Sequence, residues 1–222
     1  MRTPAITERD NFIWLLLSLM VLFFLSALFD QLDNAALGRA VGGLISVTVL
    51  VAVWSLEEPR FALVARWGVA VLVVGFLALE WLLQYSGLAL LQLIFLLLCS
   101  IATVVICCRQ VLFAGYVDGN KIIGAICIYM LLGVVWALSY LLVEQLFPGS
   151  LPGLSGADWR EQLQEALYFS IVTLTTLGYG DMSPVQPLGR YLAFMQALTG
   201  QFYTAILVAS LIGVRLADRE RS

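Results

Sequence analysis

Apolar residues in this chain run in blocks rather than alternate. The runs cover residues 12–29, 37–55, 61–83, 88–107, 122–147 and 188–216, with short polar interruptions between them. Each is close to or above the roughly 20 residues an α-helix needs to cross about 30 Å of hydrocarbon. The pattern predicts an all-α integral membrane protein with six transmembrane helices. A seventh apolar segment, 159–176, lies between the last two runs and leads into TLTTLGYGDMSP, residues 173–184. That stretch can neither span a bilayer nor serve as an ordinary turn.

Composition agrees with the pattern. The chain is 61% hydrophobic and 12% charged, and its mean hydropathy is +0.95. Soluble domains carry roughly 25% charged residues. The formal charge of −3 gives no reason to expect a nucleic-acid partner. Histidine is absent, which removes the commonest general base and metal ligand, and no enzyme activity is expected. Cys99, Cys107, Cys108 and Cys127 fall inside or at the end of apolar runs without CxxC spacing, and are expected as buried, reduced thiols. No small-x-small cleavage site follows the first run, so that helix is expected to be retained.

Charge sets the orientation. With both termini cytoplasmic, nine of the twelve basic residues lie inside, and Arg39, Arg160 and Arg190 remain outside. The positive-inside rule favours that arrangement, in a bacterial-type inner (plasma) membrane. Trp14 then lies near the inner interface and Trp159 near the outer one. The fourth run carries no basic residue until Arg109 at its end. Each charge crossing 100 mV supplies about 2.3 kcal/mol, so without such charges conventional voltage sensing is not expected. Only residues 217–222 follow the last run. A gate is therefore expected within the membrane part, at the 173–184 loop, or in a separate regulatory chain.

Irregular backbone at membrane depth is tolerated only where protein or a water-filled path surrounds it. Gly178 and Gly180 take positive φ freely, while Leu177 and Tyr179 between them stay in the usual region. Alternating hands of this kind turn successive carbonyls to one side, and a ring of carbonyls can replace the water around a dehydrated monovalent cation.

Thr176-Leu177-Gly178-Tyr179-Gly180-Asp181 closely resembles the potassium channel selectivity filter, whose usual form is TVGYGD. Residues 166–175 look like that family's pore helix and Leu188-Gly189-Arg190 like the start of its inner helix, so the likeness extends over 122–216. The resemblance implies a four-helix transmembrane domain at 1–110, lacking voltage-sensing arginines, and a pore domain at 111–222. Within the latter it implies an outer helix at about 122–147, a pore helix at about 158–175, the filter at 176–181 and an inner helix at about 188–216.

It also implies K⁺ coordination by the carbonyls of Thr176, Leu177, Gly178 and Tyr179 and by the Thr176 hydroxyl, with Gly180 completing the filter. Leu177 replaces the usual valine, and changed packing behind the filter is expected rather than lost selectivity. Asp181 needs a donor, and the family position that commonly supplies one is Tyr168 here. Gly200 stands where the family often has a hinge glycine, and close helix packing is an equal alternative. Polar Thr199, Gln201 and Thr204 around it are expected to line a cavity on one face.

Ser155 and Asp158 have the spacing of a capping box before the pore helix. One filter per chain implies a homotetramer in membrane lipid, with K⁺ as permeant ion and no cofactor. A weakly selective monovalent cation channel and a K⁺-transporter subunit stay open as alternatives.

Overall fold

The computed structural model describes residues 11–31, 35–54, 68, 70–75, 86–112, 119–156 and 158–221. Six helices are assigned in chain order: α1 Asn11–Gln31, α2 Ala35–Trp54, α3 Ser86–Leu112, α4 Gly119–Leu146, α5 Leu163–Leu174 and α6 Pro187–Arg221. Among the described residues there is no strand. The expected third span, 61–83, falls largely outside the described residues, and its described part, 68 and 70–75, is helical. Two segments, Leu88–Val111 and Asn120–Leu146, are long and apolar enough to cross a membrane.

α4 is the centre of the molecule. It is apolar on every side, as a helix surrounded by protein or lipid must be, and it touches α1, α3, α5 and α6. One buried cluster joins Leu15 and Leu19 of α1, Ile45 of α2, Leu93 of α3, Ile128 and Leu138 of α4 and Leu163 of α5. The sequence boundary near residue 110 is therefore no break in packing. In lipid such contacts gain from close van der Waals fit rather than from removal of water.

α5 is the short element. Its 12 residues rise about 18 Å at 1.5 Å each, well short of a bilayer. It starts later than the sequence signals indicate, at Leu163 rather than near 158, and Gln162 at its N-cap makes no side-chain cap bond. The capping box does not form because its members have other partners. The Ser155 amide donates to Glu165 Oε2 at 2.9 Å, and its hydroxyl donates to the other carboxylate oxygen. Asp158 is held by Arg160 at 2.5 Å.

Trp159 is fully buried, with the Arg160 guanidinium 4.7 Å from its ring centroid. Arg160 itself is only 4% exposed and donates to the carboxamide oxygen of Gln92 on α3, itself 3% exposed. The approach to α5 is thereby pinned to the N-terminal part of α3.

The turn between α4 and α5 is held by Glu144, whose carboxylate accepts the Gly149 amide at 2.6 Å and the Leu151 amide at 2.9 Å. The same turn grips the far side of the 176–181 loop, since the Val185 amide donates to the Ser150 carbonyl at 3.0 Å. Met182 packs against the Tyr140, Leu151 and Phe169 cluster.

Candidate functional site

The loop after α5 begins with a specific helix ending. The Leu177 amide bonds the Val172 carbonyl and the Thr176 amide bonds the Thr173 carbonyl, both at 3.0 Å. Those two bonds define a Schellman motif, which requires a left-handed residue at the first position past the cap, usually glycine. Here that residue is Thr176, with φ 57°, the one non-glycine with positive φ among the described residues. A left-handed conformation costs an L-residue about 1–2 kcal/mol, and a β-branched residue there is an outlier. Strain of this kind persists only where surrounding contacts over-determine it.

Positive φ recurs at Gly178 (59°) and Gly180 (81°), while Leu177 and Tyr179 stay on the ordinary side. Backbone hand thus alternates at every residue from Thr176 to Gly180. Sequence reasoning finds the glycine half of this pattern. It misses Thr176, whose conformation is set by how the preceding helix stops.

Tyr168 and Asp181 bracket the loop from one side. The Tyr168 hydroxyl donates to Asp181 Oδ2 at 2.6 Å, and Asp181 Oδ1 accepts the Met182 amide at 3.0 Å. The Tyr168 bond comes first among the causes that hold the Asp181 carboxyl below its ordinary value, and the same bond pushes the Tyr168 phenol up to about 12. A depressed carboxyl contributes stability above its ordinary pKa and loses it as pH falls through the lowered value. A raised phenol contributes below its ordinary pKa and loses it as pH rises through about 12. The pair is therefore intact across the neutral range. Tyr168→Phe will move the Asp181 titration to higher pH. Infrared difference spectra of the carboxyl band, with Asp181→Asn as reference, will read the shift.

Behind α5 lies a buried polar chain that the sequence reading did not single out. The Tyr140 hydroxyl of α4 donates to Gln196 Oε1 of α6 at 2.6 Å. Gln196 Nε2 donates to the carbonyl and the hydroxyl oxygen of Ser170 on α5, both at 2.8 Å, and that hydroxyl donates to the Gly133 carbonyl of α4 at 2.6 Å. Three helices are tied at one level. A glutamine and a serine within apolar runs were the available signal, because polar groups at membrane depth need partners.

α6 closes on the loop from below. Gly200 approaches the end of α5 so nearly that a Cβ there would lie 2.0 Å from the Leu174 carbonyl oxygen. That oxygen also accepts the Tyr129 hydroxyl at 3.2 Å. Close packing thus accounts for the glycine. Of the polar residues around it, Thr199 and Thr204 bond back to their own helix, at the Met195 and Gly200 carbonyls. Gln201 alone of the three reaches the loop: its Nε2 donates to Thr176 Oγ1 at 2.9 Å. A largely apolar cavity of about 550 Å³ separates α1, α4 and α5, with Tyr168 and Val172 in its wall.

A short helix, followed by backbone of alternating hand and framed by two long helices, is the arrangement that the likeness in sequence leads one to expect. Residues 122–215 match the family model described as "Ion channel". Relatives of the same segment narrow the class. It is 34% identical over 88 residues to the two pore potassium channel c of Oryza sativa subsp. japonica, a match covering 39% of this chain and 19% of that one. It is 32% identical over 88 residues to the inward rectifier potassium channel Kirbac3.1 of Paramagnetospirillum magnetotacticum, covering 40% and 27%. Protein LctB of Bacillus caldotenax is 35% identical over 83 residues, covering 36% and 59%. The matches thus span 19%, 27% and 59% of these relatives' lengths. No solved structure matches the chain. The chain is thus similar over part of its length to ion channels, and among these relatives to two potassium channels.

Proposed function

We propose that the protein conducts K⁺ passively and selectively across a plasma membrane through a central pore made by four copies of the chain. The observation that carries this reading is the alternation of backbone hand from Thr176 to Gly180 at the end of α5. It supports the main-chain oxygens of Thr176, Leu177, Gly178 and Tyr179 as K⁺ ligands, with Gly180 closing the filter and the Thr176 hydroxyl at its floor. Tyr168 and Asp181 brace it. The C-terminal end of α5, where the helix dipole is negative, points toward the cation. α5 is re-entrant, six helices span the bilayer, and the termini are cytoplasmic. No cofactor takes part, and the front helices do not sense voltage conventionally.

Four-fold assembly is supported by an uncovered face. Large apolar side chains stand exposed on α6 at Leu188, Tyr191, Phe194, Leu198, Phe202 and Ile206, at helical spacing. Leu177 (56%) and Tyr179 (67%) are exposed beside them in the single chain. Copies packed about a common axis cover the loop side chains while leaving its carbonyls on that axis.

The full chain reconstituted in liposomes under a K⁺ gradient is expected to pass K⁺, to exclude Na⁺ and to be blocked by Ba²⁺. Native mass spectrometry is expected to give a four-chain particle. Absent K⁺ flux, equal Na⁺ flux or a monomer would overturn the proposal.

A further inference from the structure

The geometry points to Gln201 as a positioning residue that sets the cation preference of the filter floor through the Thr176 hydroxyl. This inference rests on the conduction reading above and adds to it a determinant on a different helix.

Three observations converge on the pair. Thr176 is held at φ 57° by the ending of α5 despite its β-branch, so its hydroxyl stands at a fixed place in the loop. Gly200 lets α6 approach the Leu174 carbonyl more closely than any larger residue could, which sets the following residue beside the loop. Gln201 Nε2 then donates to Thr176 Oγ1 at 2.9 Å across 25 positions of sequence. The neighbouring hydroxyls of Thr199 and Thr204 are spent on their own helix. Gln201 is the group delivered to the filter.

The chemistry of a hydroxyl says what this does. Threonine oxygen has one proton and two lone pairs. The amide N–H takes one lone pair, which fixes the side-chain rotamer and aims what remains of the oxygen. It also draws electron density from that oxygen and leaves a partial positive charge beside it. The number and field strength of oxygen dipoles is one determinant of which cation a filter prefers. An oxygen weakened in this way penalises ions of high charge density, Ba²⁺ and Na⁺, more than K⁺. Four such amides act together in the tetramer.

Gln201→Leu removes the donor and keeps an apolar side chain of similar size. It is expected to strengthen Ba²⁺ block and raise relative Na⁺ permeation, each about five-fold, the factor that one net hydrogen bond of about 1 kcal/mol represents. Gln201→Glu replaces the donor with an acceptor and adds negative charge, and is expected to move Ba²⁺ block further in the same direction. In a Thr176→Ala background, Gln201→Leu should have no further effect. Calorimetric Ba²⁺ binding to the detergent-solubilised tetramer supplies the same comparison where a variant conducts poorly.

Unchanged Ba²⁺ affinity and Na⁺ permeation in Gln201→Leu would overturn the inference while wild-type K⁺ flux stands. So would an effect of Gln201→Leu that persists in full without the Thr176 hydroxyl. Absent wild-type K⁺ flux overturns the conduction reading, and this inference with it.

Discussion

Alanine at position 200 will lower the stability of the protein and weaken its K⁺ conductance together. In a helix interior, glycine to alanine normally stabilises by about 1 kcal/mol. Here the added carbon falls 2.0 Å from the Leu174 carbonyl oxygen and 3.0 Å from its carbon. Those atoms are backbone at a helix terminus and cannot swing aside as a side-chain tip can. α6 must therefore move off α5, and the Gln201 bond to Thr176 goes with it. Overpacking of this kind costs about 1–3 kcal/mol, and the lost hydrogen bond adds about 1 kcal/mol. The net is a loss on the order of 1–3 kcal/mol, so the steric term outweighs propensity. A glycine serving only as a bend point predicts the opposite sign: a stiffer, more stable helix with altered opening. Thermal midpoints of the wild-type and Gly200→Ala proteins, measured beside flux, separate the two by direction alone.

Gln196→Leu will destabilise the protein by a comparable amount for a different reason. The substitution preserves volume but deletes the hub between Tyr140 and Ser170. Gln196 and Ser170 are fully buried and Tyr140 nearly so, which leaves the phenol with no water to turn to, while the Ser170 carbonyl keeps its place in the α5 helix. A buried polar group left unpaired costs about 1–3 kcal/mol and the lost bond to Ser170 adds about 1 kcal/mol, giving on the order of 2–4 kcal/mol. Tyr140→Phe combined with Gln196→Leu should recover part of that loss, since it removes one orphan along with its partner. Thermal unfolding of the three variants checks both statements. Equal stability of Gln196→Leu and wild type would mean that packing alone holds α5 between α4 and α6.

The helices and the loop differ in how far the sequence reveals them. Unbroken apolar runs place α1, α2, α3, α4 and α6 to within a few residues, because a helix crossing lipid has little option but to be apolar along its length. Gly178 and Gly180 announce positive φ because glycine alone adopts it without cost. The start of α5 is misread at Ser155 and Asp158, whose oxygens and amides serve Glu165 and Arg160 instead. Such choices depend on residues that the fold, not the chain, brings close. Gln196 finds Ser170 across 26 positions and Tyr140 across 56, distances over which a pattern carries no signal. Thr176 was singled out as a ligand but not as a strained residue, since its φ follows from the Schellman ending and the approach of α6. The hydrogen bond expected from Tyr168 to Asp181 is present because both ends lie within one short helix and loop.

The guanidinium of Arg160 ties the first helices to the segment that leads into α5. It is sequestered from solvent, braced by Asp158, stacked on Trp159 and fastened to Gln92 on α3, a helix that also packs against α2 and α4. A slide of α3 by one turn, about 5.4 Å, would break the bond to Gln92, so the position of α3 and the start of α5 are set together.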